Sequence, residues 1–111
     1  MDEEQRKAYD VVRLEAIRKG VPEHTAASLA LYYVAGVEPG GFLTAVLSND
    51  LSESLGRADE ENRVHLFETV SFIYNRLAGL SWGSADKMKC WPMARKAWST
   101  QEMVKYFSQE G

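Results

Sequence analysis

The residue of this 111-residue chain best placed to do chemistry is an acid in apolar company. In the stretch Gly36 to Leu51, GVEPGGFLTAVLSNDL, a glycine-proline turn leads into an apolar run. Projected as a helix at about 100° per residue, Phe42, Leu43, Val46, Leu47 and Leu51 share one broad face, and Asp50 falls between Val46 and Leu43 on it. A carboxylate turned toward a core is costly unless paired or hydrogen-bonded, so Asp50 calls for an arginine, backbone N–H groups at a helix start, a tyrosine hydroxyl or a ligand. An internal structural bond is the weightier reading and ligand binding the sharper one, with Asn49 and Arg57 as the nearest helpers.

Other chemistry finds less support. Asp50 and His65 could act as an acid–base pair, but helical spacing does not bring them together, and His65 falls on the more polar side of its own helix. His24, His65 and the lone Cys90 have no recognised metal-ligand spacing. The chain holds no nucleophile elbow, no phosphate-binding loop and no dinucleotide fingerprint. No catalytic residue, metal or cofactor is expected, and the sequence reads as a binder rather than an enzyme.

Charge is unevenly spread over a formal total of −3. Residues 38 to 68 carry seven acids against two arginines, whereas residues 82 to 107 carry five basic residues against two acids. In that second segment Lys87, Lys89, Arg95, Lys96 and Lys105 alternate with Trp82, Trp91, Trp98, Tyr106 and Phe107, a mixture able to stack bases and neutralise phosphates. Overall acidity disfavours nucleic acid as a partner, and docking of this segment onto the acidic middle is the simpler expectation.

The elements that must position these residues are helices. Glu3 to Lys19 is rich in helix formers, with Ala8, Val11, Val12, Leu14 and Ile17 as its apolar set. Gly20 stops it, and Pro22 opens a second helix to Ala35 that is apolar on more than one side. A third helix is expected from Phe42 to Gly56 and a fourth from Asp59 to Leu77. The fourth carries the clearest stripe, Leu66, Phe67, Val70, Ile73, Tyr74 and Leu77, which predicts its core face. Phe72 lies opposite with Glu68 and Arg76, and is read either as an exposed aromatic anchor or as a contact for the C-terminal segment or a partner subunit. Ser84 caps a short helix to about Trp91, before Pro92, and a Ser99–Glu102 capping box starts a last helix from Thr100 to about Ser108.

These readings predict an all-α fold, a compact single-domain bundle of five to six short helices spanning residues 1–111, with no strand and no internal repeat. The longest uncharged run, Thr25 to Val37, is thirteen residues and too short to span a bilayer, so no membrane partner is expected. The acidic, polar start MDEEQRKAYD is unlike a signal peptide, and a lone cysteine suits a reducing compartment, which together predict a cytoplasmic location.

The string EPGGFLTAVLSNDLSESLGRADEENRVHLFETVSFIYNRL, followed by SWGSADK, resembles a family of small proteins encoded in bacteriophages and prophages. The family's marks are a PGGFLTAVL-NDL core, an AD-x-x-N step, an F-[IL]-YN pair and a WGS turn, and the likeness spans about Val21 to Trp91. Residues 1–20 form an N-terminal helix and 92–111 a C-terminal helical extension outside it. The resemblance implies a phage-derived accessory role in the host cytoplasm and no particular reaction. The expected activity is non-catalytic binding to a host protein, most concretely counter-defence inhibition such as an anti-CRISPR. The alternative is a binding or sequestering protein for a small molecule or nucleotide signal. Asp50, Asn49, Arg57, Phe72, Trp82 and Trp91 are the candidate binding residues, and Phe72 with the tryptophan-rich end suggests a homodimer.

Overall fold

In the computed structural model, which describes residues 1–105 and 107, all regular structure is helical. Asp2 and Gln5 form a capping box that starts α1, Glu3–Arg18. Its buried side is Ala8, Val12 and Ala16. These small side chains at i, i+4 and i+8 let α1 lie close against α2, Glu23–Ala35. Val11 and Leu14, of the same apolar set, face outward.

α2 is the central element, as its apolar character on several sides predicts. Ala26, Leu29, Ala30, Tyr32, Tyr33 and Val34 are all buried. It ends at Gly36, whose φ of 74° is a left-handed cap. A side chain there would also strike the Arg95 guanidinium and Pro92.

The two long middle helices of the sequence reading are each broken in two. The first becomes α3, Gly41–Leu47, and α4, Leu51–Arg57, separated by Asn49 at φ 63°. The second becomes α5, Glu60–Val64, and α6, Leu66–Arg76, with the break at His65. Those two breaks account for eight α-helices among the described residues where five to six were expected. After a 3₁₀ turn at Gly79–Ser81 come α7, Ala85–Ala94, a second 3₁₀ turn at Arg95–Ala97, and α8, Thr100–Val104. The expected end of the last helix near Ser108, and Tyr106, lie outside the described residues.

The helix expected to stop before Pro92 runs through it to Ala94. Pro92 has no N–H to offer the Met88 carbonyl one turn back. The Tyr32 hydroxyl reaches that carbonyl instead, at 2.9 Å, sharing its one proton between it and the Ser81 carbonyl at 2.8 Å. A tyrosine from the central helix thus supplies the bond that proline withholds.

Tyr33, the next residue, ties the other end of the core. Its hydroxyl donates to the Met103 carbonyl at 2.7 Å and accepts the Ala78 N–H at 3.1 Å. Its own carbonyl, at the C-terminus of α2, accepts the Trp91 indole N–H at 2.9 Å, and the Tyr33 and Trp91 rings stack 5.4 Å apart. Burial raises the pKa of both hydroxyls; for Tyr33 burial pushes it to about 12 despite the opposing Ala78 N–H. Met103 and Phe107 belong to the same buried cluster, so the segment after Trp91 completes the core.

Candidate protein-binding face

The acid expected on the apolar helix face does not point into the core. Asp50 is exposed and is the N-cap of α4, where its Oδ1 accepts the Glu53 N–H at 3.1 Å. The broad apolar face on which it was placed requires one continuous helix, and the left-handed turn at Asn49 rotates everything after it. Leu51, assigned to that face, is 66% exposed for the same reason. Backbone N–H groups at a helix start were among the partners proposed for the carboxylate, and they are the ones it finds.

The other candidates divide among separate places. Arg57 lies at the far end of α4, bonded through Nε to Glu53 Oε1 at 3.1 Å and packed over Gly41. Trp91 is fully buried in the core. Phe72 is 2% exposed, its ring edge-on to Phe107 at 5.7 Å, which makes it a contact for the C-terminal segment and not an exposed anchor. Trp82 is half-buried beside Tyr74, with ring centroids 5.7 Å apart. Asn49, Asp50 and Trp82 converge on one cleft, and the other three do not reach it.

α6 is turned about a quarter of a revolution from the phase its apolar stripe predicts. Ile73 and Leu77 are buried as expected, but they are joined by Thr69 and Phe72. Phe67 is 80% exposed, Tyr74 70% exposed, and Val70 is exposed with them. Helical projection puts Phe67, Val70, Ser71, Tyr74 and Asn75 on the outward side of α6, with the half-buried Glu68 at its edge, while Leu66 turns back toward Ile73 and Leu77. Three large apolar or aromatic side chains of this helix, Phe67, Val70 and Tyr74, therefore face water. The breaks at His65 and Asn49 release α6 and α4 from the phase of the helices before them, and Phe107 draws Phe72 inward.

The face continues onto α4. Leu51 and Leu55, one turn apart, are both exposed. Between α4 and α6 lies a cleft of about 90 Å³ walled by Leu51, Leu66, Val70 and Trp82, with Ile73 behind them and Asn49 and Asp50 alongside. Its volume suits one apolar side chain. A protruding aromatic pair beside an apolar cleft with a polar edge is the arrangement of a protein-docking surface, where a few anchors in a desolvated centre dominate affinity.

A second grouping ties α2 to α5. Thr25 Oγ1 donates to Asn62 Oδ1 at 2.6 Å in a buried bond, and on the surface His24 lies 3.3 Å from Asp59 and 3.5 Å from Glu61. Among the described residues no group of three histidine, cysteine or acidic side chains is arranged to hold a metal ion. Likewise, no helix among them is long and apolar enough to cross a membrane. The residues missed by sequence reasoning are Phe67, Val70 and Tyr74. Their signal was present as the stripe itself, assigned to the core. No protein-family model, curated protein or solved structure matches this chain.

Proposed function

We propose that this is a non-catalytic binding protein of phage type, which docks onto a host protein through the outward face of α6, in the manner of a counter-defence inhibitor. The observation that carries the proposal is the exposure of Phe67 and Tyr74, two aromatic rings a heptad apart on one helix side. At 150–250 Å² per aromatic side chain these two alone present about 300 Å², already within the range of the largest patch on an ordinary monomer. The phage setting rests on the sequence resemblance, and the binding mode on the face.

The test is reconstitution. Host proteins captured from bacterial lysate are purified and titrated against the wild type and against Tyr74→Lys. A partner that binds the wild type in fixed stoichiometry and loses at least about thirtyfold in affinity with Tyr74→Lys supports the reading. A partner indifferent to that substitution sinks it.

A second reading, small-molecule or nucleotide-signal binding, has one specific foothold. A recess of about 240 Å³ between α1 and α6 sets Lys19 and Arg76 beside Phe67 and Phe72, with the Glu68 carboxylate among them, a mixture of charges and aromatic surface that suits a polar aromatic ligand. Asp50 and Arg57 lie outside this recess. A thermal-shift screen with nucleotides decides it, because a ligand of the folded state raises Tm and a flat response at millimolar concentration excludes it.

A further inference from the structure

We infer that in the isolated protein the α6 face is occupied by a second copy of this chain, in a two-fold dimer. The inference rests on the reading of this face as a protein-docking surface and names its first occupant. Three observations favour a second copy.

The patch is complementary to itself. An isologous interface sets the same surface against itself, so it must offer both a projection and a recess. Phe67 projects with 80% of its surface exposed, and the cleft formed by Leu51, Leu66, Val70 and Trp82, sized for one apolar side chain, lies in the same patch.

The stripe is also symmetric along the helix. Phe67 and Tyr74 are one heptad apart, with Val70 and Ser71 midway. A two-fold axis crossing α6 between Val70 and Ser71 sets two antiparallel α6 helices face to face. Each Phe67 then meets the Tyr74 and cleft side of the other copy. Aromatic rings at both ends and a small residue near the axis allow close approach at the centre.

The absence of charge completes the case. Near a two-fold axis every charge meets its like, so self-association demands an uncharged centre, whereas contact between unlike proteins is commonly steered by opposite charges. The residues at that centre, Phe67, Val70, Ser71 and Tyr74, carry no charge in a chain with a net charge of −3, and Glu68 stands at the edge of the patch. With Leu51 and Leu55 added to the two rings, the exposed apolar surface is a large share of the roughly 800 Å² per partner of a standard interface. The dimer keeps this surface from water until a host partner competes for it.

Sedimentation equilibrium from about 1 to 300 μM should show twice the chain mass at the upper end. Phe67→Glu, on a side chain that contributes little to the core, should weaken association by at least about thirtyfold while leaving the circular dichroism spectrum unchanged. In a Cys90→Ser background, Val70→Cys near the axis should form an intermolecular disulfide under mild oxidation, and Leu14→Cys, exposed on α1, should not. A single-chain mass across the range, or a dimer that ignores Phe67→Glu and links equally well through Leu14→Cys, overturns the inference. A monomer that still captures a host protein in a Tyr74-dependent way also overturns it, while leaving the proposed function standing. A dimer that captures no host protein supports it and counts against the host partner alone.

Discussion

Tyr33 and Tyr74 are the same residue type on two helices of one small protein, yet one is fully enclosed and the other 70% exposed. Around Tyr33, Tyr32 and Trp91 every polar handle has a backbone partner: Met88, Ser81 and Met103 carbonyls for the hydroxyls, and the Tyr33 carbonyl for the indole. Around Tyr74, Phe67 and Val70 the surface is apolar and open. The difference teaches where aromatic content serves the fold and where it is left for something else. In the α2–α7 core, the hydroxyls and the indole satisfy carbonyls that helix ends and Pro92 would strand, so each ring carries packing and hydrogen bonding together. On α6 the Phe67 and Tyr74 rings contribute little to the folded chain, and their exposure is a cost that binding would remove.

The comparison breaks first at Trp91. Trp91→Ala removes a fully buried indole, its stack on Tyr33 and the cap on the Tyr33 carbonyl, and should destabilise the protein by about 3–5 kcal/mol in urea unfolding. Against a typical total of roughly 5–15 kcal/mol that leaves little folded protein in mild denaturant. A loss below about 1 kcal/mol would mean that the stacked core is not what holds α2 to α7.

Alkaline titration probes the same core without a mutation. Burial raises the pKa of the Tyr33 hydroxyl from 10.0 to about 12, and that of Tyr32 is raised by burial as well. Above pH 10 the unfolded chain therefore releases these protons while the folded chain keeps them, and fewer protons bound in the unfolded state means stability falls as pH rises. The contribution is whole below pH 10 and is lost on the way to about 12, on the order of 2 kcal/mol from Tyr33 alone. Chemical denaturation at stepped pH should show this fall, with tyrosinate absorbance appearing as the chain unfolds. Stability unchanged from pH 10 to 12 would show that the hydroxyls are not enclosed.

Tyr32→Phe isolates one handle. It leaves the Met88 carbonyl without a donor, because Pro92 cannot supply one, and should cost about 1–3 kcal/mol. Pro92→Ala restores an N–H at that position. In its background Tyr32→Phe should cost less, a coupling that a double-mutant cycle measures. Equal costs in the two backgrounds would refute the exchange of donors.

What could be read in the sequence follows from how far each determinant reaches. The N-caps Asp59, Ser84 and Ser99 were legible because each bonds a backbone N–H three residues on, within one turn of chain. Asp50-x-x-Glu53 has the same spacing as Ser99-x-x-Glu102, so the start of α4 was written there too. Apolar periodicity from Phe42 to Leu51 outweighed it, and the left-handed Asn49 that breaks the period has no pattern of its own. The phase of α6 was not legible, because it is set by Phe107, thirty-five residues beyond Phe72. The Thr25–Asn62 bond is equally distant in sequence. A third of the cleft lining, namely Asn49, Asp50 and Trp82, was found for reasons other than those that bring them together.

Asp50→Ala tests the reassigned acid. As an exposed N-cap it should cost about 1 kcal/mol, whereas an unpaired core carboxylate would have made its removal neutral or stabilising. Asn49→Gly beside it should change stability by only a few tenths of a kcal/mol, since either residue tolerates positive φ.

The smallest effect is expected where the sequence is most apolar. Phe67→Ser deletes an aromatic ring from the strongest stripe in the chain, and if that stripe were the core the loss would match Trp91→Ala. With 80% of its surface already in water, the ring has little burial to lose on unfolding. Denaturation at chain concentrations low enough to exclude self-association should place the variant within about 0.5 kcal/mol of the wild type. The same substitution should sharply reduce association at high concentration. Stability and association would then separate along one helix, with Phe72 and Ile73 answering for the first and Phe67 and Tyr74 for the second. A Phe67→Ser variant that unfolds like Trp91→Ala would return the outward face of α6 to the core and leave neither binding proposal a surface.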